Sequence, residues 1–148
     1  MHPVPAEFSG ELLFDGGVSA GFYCSFITEL QQWVHVSGTK GSLRVPDFVL
    51  PDHGRKIGFE VNDPLYNIAG CDFDMHSGTR RISMTEYSHG HPSAQETNLF
   101  RNFADQVRSG QLNEEWPEMA LKTQQVMEAC LASARAEGRL MEIEPVRL

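Results

Sequence analysis

Asp72, Asp74 and His76 stand at alternate positions, and two carboxylates beside an imidazole are groups that hold a divalent cation or hand on a proton. The intervening Phe73 and Met75 make the run a strand, so the three polar side chains share one face. That same geometry works against a site, because positions i and i+4 of a strand lie ~13 Å apart and seldom close on one ion. A solvated or structural face is the reading it favours. His89 and His91 flank Gly90 and offer two further metal donors, but no third ligand stands near them in sequence, so they read as a loop. There is no Gly-x-Ser-x-Gly elbow, no recognisable Cys-His nucleophile pair and no Gly-x-Gly-x-x-Gly dinucleotide fingerprint. No catalytic, cofactor-binding or metal-binding residue is assigned. Thr28, Glu29 and Gln31, at an expected hairpin tip, carry hydrogen-bonding groups able to meet a ligand's hydroxyls, although an exposed tip is also polar for no special reason.

The elements that would position these residues fall into two stretches. From Ser9 to Tyr87 the pattern has period two and is punctuated by glycine; from Ser93 to Gly138 it is helical. A three-residue loop, Asp15-Gly16-Gly17, sets Phe14 opposite Val18 and Leu12 opposite Ala20, which keeps the apolar side chains on one face; a shift of one residue would lose that. Val34 and Val36 alternate with Trp33 and His35 before the Gly38-Thr39-Lys40-Gly41 turn, whose glycines are expected for positive φ, and Leu43 and Val45 continue beyond it. Ile57, Phe59 and Val61 mark another strand. Cys71, Phe73 and Met75 mark the next, expected to turn at Ser77-Gly78 so that Phe73 faces Ile82 and Asp74 faces Arg81. Ser93 and Glu96 have the spacing of a capping box opening a first helix with Leu99, Phe100, Phe103 and Val107 on one face, stopped at Gly110. Pro117 suits the first turn of a second helix carrying Met119, Thr123, Val126, Met127, Cys130 and Ala134, stopped at Gly138, and Leu140 to Ile143 reads as a closing strand.

Hairpins followed by helices predict an α+β fold: a mostly antiparallel, open-faced β-sheet with two C-terminal helices packed on one face, in a single domain spanning residues 1–148. The other face would carry Leu13, Tyr23, Ile27 and Trp33. Burying each is worth ~1.5–3 kcal/mol, which favours a sheet-to-sheet homodimer over the competing half-solvated sheet. Trp33 and Trp116 each need an apolar contact and a partner for the indole N–H. A net charge of −8, from 20 acidic against 12 basic residues, argues against a nucleic-acid or anionic-membrane partner. Three widely spaced cysteines, Cys24, Cys71 and Cys130, read as reduced and mostly buried. With no signal-peptide pattern at Met1-His2-Pro3-Val4-Pro5 and no long apolar run, a cytoplasmic location is expected.

The Phe14-Asp15-Gly16-Gly17 turn, the Gly38-Thr39-Lys40-Gly41-Ser42-Leu43 turn, the helix from Glu96 to Phe103, and the Ala120-Leu121-Lys122-Thr123-Gln124-Gln125-Val126 run that continues through Ala129, Ser133-Ala134 and Gly138 occur in an order that resembles one family. From Glu11 to Ile143 the chain is similar to the C-terminal sheet domain of the glucose-fructose oxidoreductase, inositol dehydrogenase and MocA (Gfo/Idh/MocA) oxidoreductases. The resemblance implies a sheet domain that borders a sugar or polyol substrate and mediates oligomerisation, with NAD(P) held by an N-terminal Rossmann domain. It also implies that this chain alone does no redox chemistry. The family's Glu-Lys-Pro has no counterpart here, and Lys40, Lys56 and Lys122 stand in other contexts. Asp72 and His76 reproduce the family's Asp-x-x-x-His spacing, but that pair belongs on a helix, where residues four apart share a face, so catalysis is not transferred to them. Tyrosines that some relatives present to substrate are replaced by the Thr28 to Gln31 stretch. A free-standing dimerisation or small-ligand-binding module built on the same sheet is the alternative function. A small metal-dependent enzyme using Asp72, Asp74 and His76 or the His89/His91 pair is a third.

Overall fold

The computed structural model describes residues 4–49, 56–87 and 90–143. His89 and the Asp52-His53-Gly54 stretch lie outside the described residues. The chain is α+β, with eight described strands in open antiparallel sheets followed by two helices. It divides into two compact units, residues 1–28 with 104–148, and residues 29–103.

In the first unit, β1 (Glu7–Phe14) and β2 (Val18–Ser25) form a two-stranded ribbon across the Asp15–Gly17 turn. Phe14 pairs with Val18 and Leu12 with Ala20, as the parity of the apolar positions requires. Gly16 and Gly17 both hold positive φ, 77° and 78°, which is what makes glycine the residue for this loop. Because directly opposed residues share a face, one side of the ribbon carries Phe8, Leu12, Phe14, Val18, Ala20 and Phe22, and the other carries Glu7, Ser9, Glu11, Leu13, Tyr23 and Ser25. Phe8 and Phe22 stack with centroids 6.1 Å apart, and the Phe22 ring lies over Gly10, where an added Cβ would come within 2.8 Å of it.

The second unit is built on a four-stranded antiparallel sheet, ordered β3 (Val34–Gly38), β4 (Gly41–Val45), β5 (Lys56–Asn62) and β8 (Arg80–Thr85). Between β5 and β8 the chain makes an excursion, the hairpin of β6 (Leu65–Ala69) and β7 (Asp72–His76). This corrects the expected pairing: Phe73 lies opposite Ile68 and Asp74 opposite Asn67, while Ile82 pairs with Phe59 and Arg81 with Glu60. Gly70, at φ 64°, opens a two-residue turn with Cys71, and Tyr66 and Ile68 alternate in step with Phe73 and Met75. The Ser77-Gly78 stretch would close an equally short loop, but Ser77 and Thr79 hydrogen-bond to Asn62 and Gly78 lies against Asp63, so it does not form that hairpin.

The Gly38-Gly41 turn is present, but its glycines serve a different purpose from the one expected. Neither has positive φ. A Cβ on Gly41 would collide with the backbone carbonyl oxygen of Asn62 on the neighbouring strand, whereas one on Gly38 would meet only the Gly41 oxygen at an ordinary 3.6 Å.

The first helix, α1 (Gln95–Ser109), begins two residues after Ser93, but without the expected capping box. Ser93 Oγ lies 2.9 Å from His91 Nδ1, and the Glu86 carboxylate accepts the Gln95 N–H at 3.1 Å. An acidic group on the first turn is favoured there by the helix dipole, and Glu86 fills that place before Ser93 can. Ala94, at the helix start, is fully buried. The helix ends as expected at Gly110, with φ 67°. The second, α2 (Glu115–Arg135), is capped by Asn113, whose Oδ1 accepts the Trp116 N–H at 2.8 Å, and stops at Gly138, φ 81°. Asn113→Ala is expected to cost about 1 kcal/mol, seen as a lowered thermal midpoint with the fold retained. The half-buried stripe of α2 runs through Leu121, Val126, Ala129 and Cys130, rotated from the expected one; Met119 and Met127 are exposed. Residues 140–143 are irregular rather than a closing strand. The cysteines are free but not buried as expected, Cys24 and Cys71 being exposed and Cys130 half-buried; Cys71 occupies a turn and Cys24 lies on a two-stranded ribbon.

Candidate functional site

The four-stranded sheet separates its side chains into an apolar and a polar face, Arg80, opposite Val61 on β8, being the charged exception on the apolar one. Reading across the strands, Val36, Leu43 and Val61 form one apolar row, while Val34 with Val45, Phe59 with Ile82, and Ile57 with Met84 are apolar pairs on the same face. A cleft of about 190 Å³ lies over this face, lined by Val45, Phe48, Ile57, Phe59, Ile82 and Met84. The opposite face is polar, and its central row runs His35, Arg44, Glu60, Arg81. Near the glycine turn a shallower groove of about 330 Å³ is bordered by Val36, Lys40, Ser42, Leu43, Asn62 and Asp63.

The expected ligand-facing residues do not all fall in one unit. Thr28 ends the first unit; Glu29 and Gln31 begin the second. Gln31 Oε1 accepts the indole N–H of Trp33 at 3.0 Å, which supplies the partner that tryptophan needs and commits Gln31 to holding it. The next residue, Gln32, bridges to Asp47 through both backbone and carboxamide. Of the residues expected at an interface, Leu13 and Tyr23 share the polar face of the ribbon, where the Tyr23 hydroxyl donates to Glu7 Oε2 at 3.1 Å. Ile27 follows that ribbon and Trp33 precedes β3. All four are between 58% and 68% exposed.

Asp72, Asp74 and His76 do share a face of β7, with His76 Nε2 2.8 Å from Asp74 Oδ2. Among the described residues, no group of three or more His, Cys, Asp or Glu side chains is placed to hold a metal. His91 stacks on Tyr87 at 4.2 Å between centroids. Lys122 pairs with Glu118 at 2.6 Å within α2. No helix among the described residues is long and apolar enough to cross a membrane.

A dinucleotide needs a helix start whose free N–H groups follow a glycine-rich turn off a strand. The two described helix starts do not fit one. That of α1 is taken by Glu86 and followed by Glu96; that of α2 is capped by Asn113 and carries Glu115 and Glu118 in its first turn. Carboxylates at both places would repel a pyrophosphate.

An open antiparallel sheet with one apolar and one charged face, trailed by two amphipathic helices, defines an α+β sheet domain. Residues 8–143 match the model of the Gfo/Idh/MocA family described as the oxidoreductase family, C-terminal alpha/beta domain, and the chain belongs to that family. No solved structure matches the chain significantly.

Proposed function

We propose that this chain is the substrate-side and oligomerisation domain of an NAD(P)-dependent sugar or polyol oxidoreductase, working in the cytoplasm. The observation that carries the reading is the match of residues 8–143 to an oxidoreductase C-terminal domain, together with helix starts that carry acids where a cofactor would need open N–H groups. The hydride carrier then belongs to another domain. Thr28 and Glu29, whose side chains make no hydrogen bond among the described residues, offer a hydroxyl and a carboxylate to a polyol, and Gln31 keeps its amide N–H donors available while its oxygen holds Trp33. Leu13, Tyr23, Ile27 and Trp33 supply apolar area to a second copy.

Titrating NADH and NADPH into the 148-residue chain, followed by nicotinamide fluorescence, is expected to give no saturable change up to about 1 mM. Saturation at micromolar cofactor would overturn the reading, since the chain would then hold its own hydride carrier.

A further inference from the structure

The polar row of the four-stranded sheet alternates in sign. Arg44, Glu60 and Arg81 lie side by side on β4, β5 and β8, with His35 beyond Arg44 on β3. Arg44 and Arg81 are exposed, Glu60 is half-buried, and among the described residues none of the three takes part in an ion pair. We infer that this face meets a second copy of itself about a two-fold axis running along the strands between β5 and β8, so that Glu60 opposes the partner's Arg81 and Arg81 opposes the partner's Glu60.

The inference rests on the oligomerisation reading above and adds the register. Stacked sheets lie ~10 Å apart, within reach of Glu and Arg side chains from both sides, and neighbouring strands are ~4.8 Å apart. A two-fold centred on β5 would set Glu60 on Glu60 and arginine on arginine, and one running along the row would set every residue on its own copy. Both juxtapose like charges. An axis between β4 and β5 pairs Glu60 with the partner's Arg44 but leaves His35 facing the partner's Arg81. The axis between β5 and β8 has no such conflict. A wholly acidic partner would suit the two arginines but meet Glu60 at the centre of the row. The row fixes alignment; affinity comes from the wider face.

The test is a charge swap followed by analytical ultracentrifugation at low salt. Glu60→Arg and Arg81→Glu are each expected to raise the dimer dissociation constant by at least about tenfold. An equimolar mixture of the two should restore wild-type affinity, because each contact then joins Arg to Glu. Rescue by mixing also excludes misfolding as the cause of the loss. A monomeric wild-type chain would overturn the oligomerisation reading and this inference with it. A wild-type dimer that ignores both substitutions, or single variants that stay monomeric when mixed, would overturn the register alone.

Discussion

Gly41→Ala is expected to destabilise the chain by about 3 kcal/mol, while Gly38→Ala, three residues away in the same turn, changes stability by less than about 0.5 kcal/mol. The two glycines begin and end one hairpin and look equivalent in sequence. They differ in what lies beside them. A Cβ on Gly41 meets the Asn62 carbonyl, and an atom of the β5 backbone cannot yield without disturbing the β4–β5 ladder. At Gly38 the nearest neighbour is at van der Waals distance and φ is ordinary, so alanine fits, and its smaller freedom in the unfolded chain offsets part of any loss. Urea unfolding should show a midpoint lower by about 1–2 M for Gly41→Ala alone. Equal effects at both positions would mean that the turn conformation, and not close approach, selects glycine.

Phe22→Ala carries the second large effect, about 2 kcal/mol. Phe22 stacks on Phe8 and roofs Gly10, so its ring gives an otherwise bare stretch of β1 backbone its cover. The ribbon has only two strands, and such a ribbon depends on its cross-strand side chains. Phe26, one residue beyond β2 and 89% exposed, is the control: Phe26→Ala should leave the unfolding free energy within about 0.5 kcal/mol of wild type. Matching losses would mean that the Phe8–Phe22 pair contributes nothing particular.

Much of this architecture is legible in the residues because parity is strict. Phe14 opposite Val18, and the division of β3, β4 and β5 into an apolar and a polar face, follow from alternation alone. Helix ends at Gly110 and Gly138 follow from the need for positive φ. What alternation does not carry is which strand a hairpin chooses. Phe73 suits Ile82 as well as Ile68 in side-chain type, and Ser77-Gly78 offers a turn as short as Gly70-Cys71; the difference is that Ser77, Gly78 and Thr79 are held against Asn62 and Asp63, contacts that no local pattern announces. The α1 cap escaped for a related reason. Ser93 and Glu96 have capping-box spacing, but Glu86, nine residues before Gln95, is no part of any local motif. The role of Gly41 depends on Asn62, at the far end of the neighbouring strand β5. At the candidate site, the need of Trp33 for a polar partner is plain from its type, whereas its choice of Gln31 is a matter of geometry.

The excursion between β5 and β8 is closed at its neck. Asn62 Oδ1 accepts from the hydroxyls of Ser77 at 3.4 Å and Thr79 at 3.0 Å, Arg80 approaches Asp63 at 4.0 Å, and Gly78 packs against the Asp63 carbonyl so closely that no side chain fits. The two strands flanking it are hydrogen-bonded to each other, and the hairpin's own strands pair separately. Its length and tip chemistry are therefore decoupled from the ladder beneath. Residues 65–76 form a cassette, the place where a new recognition element can be spliced into this scaffold at little cost to the rest.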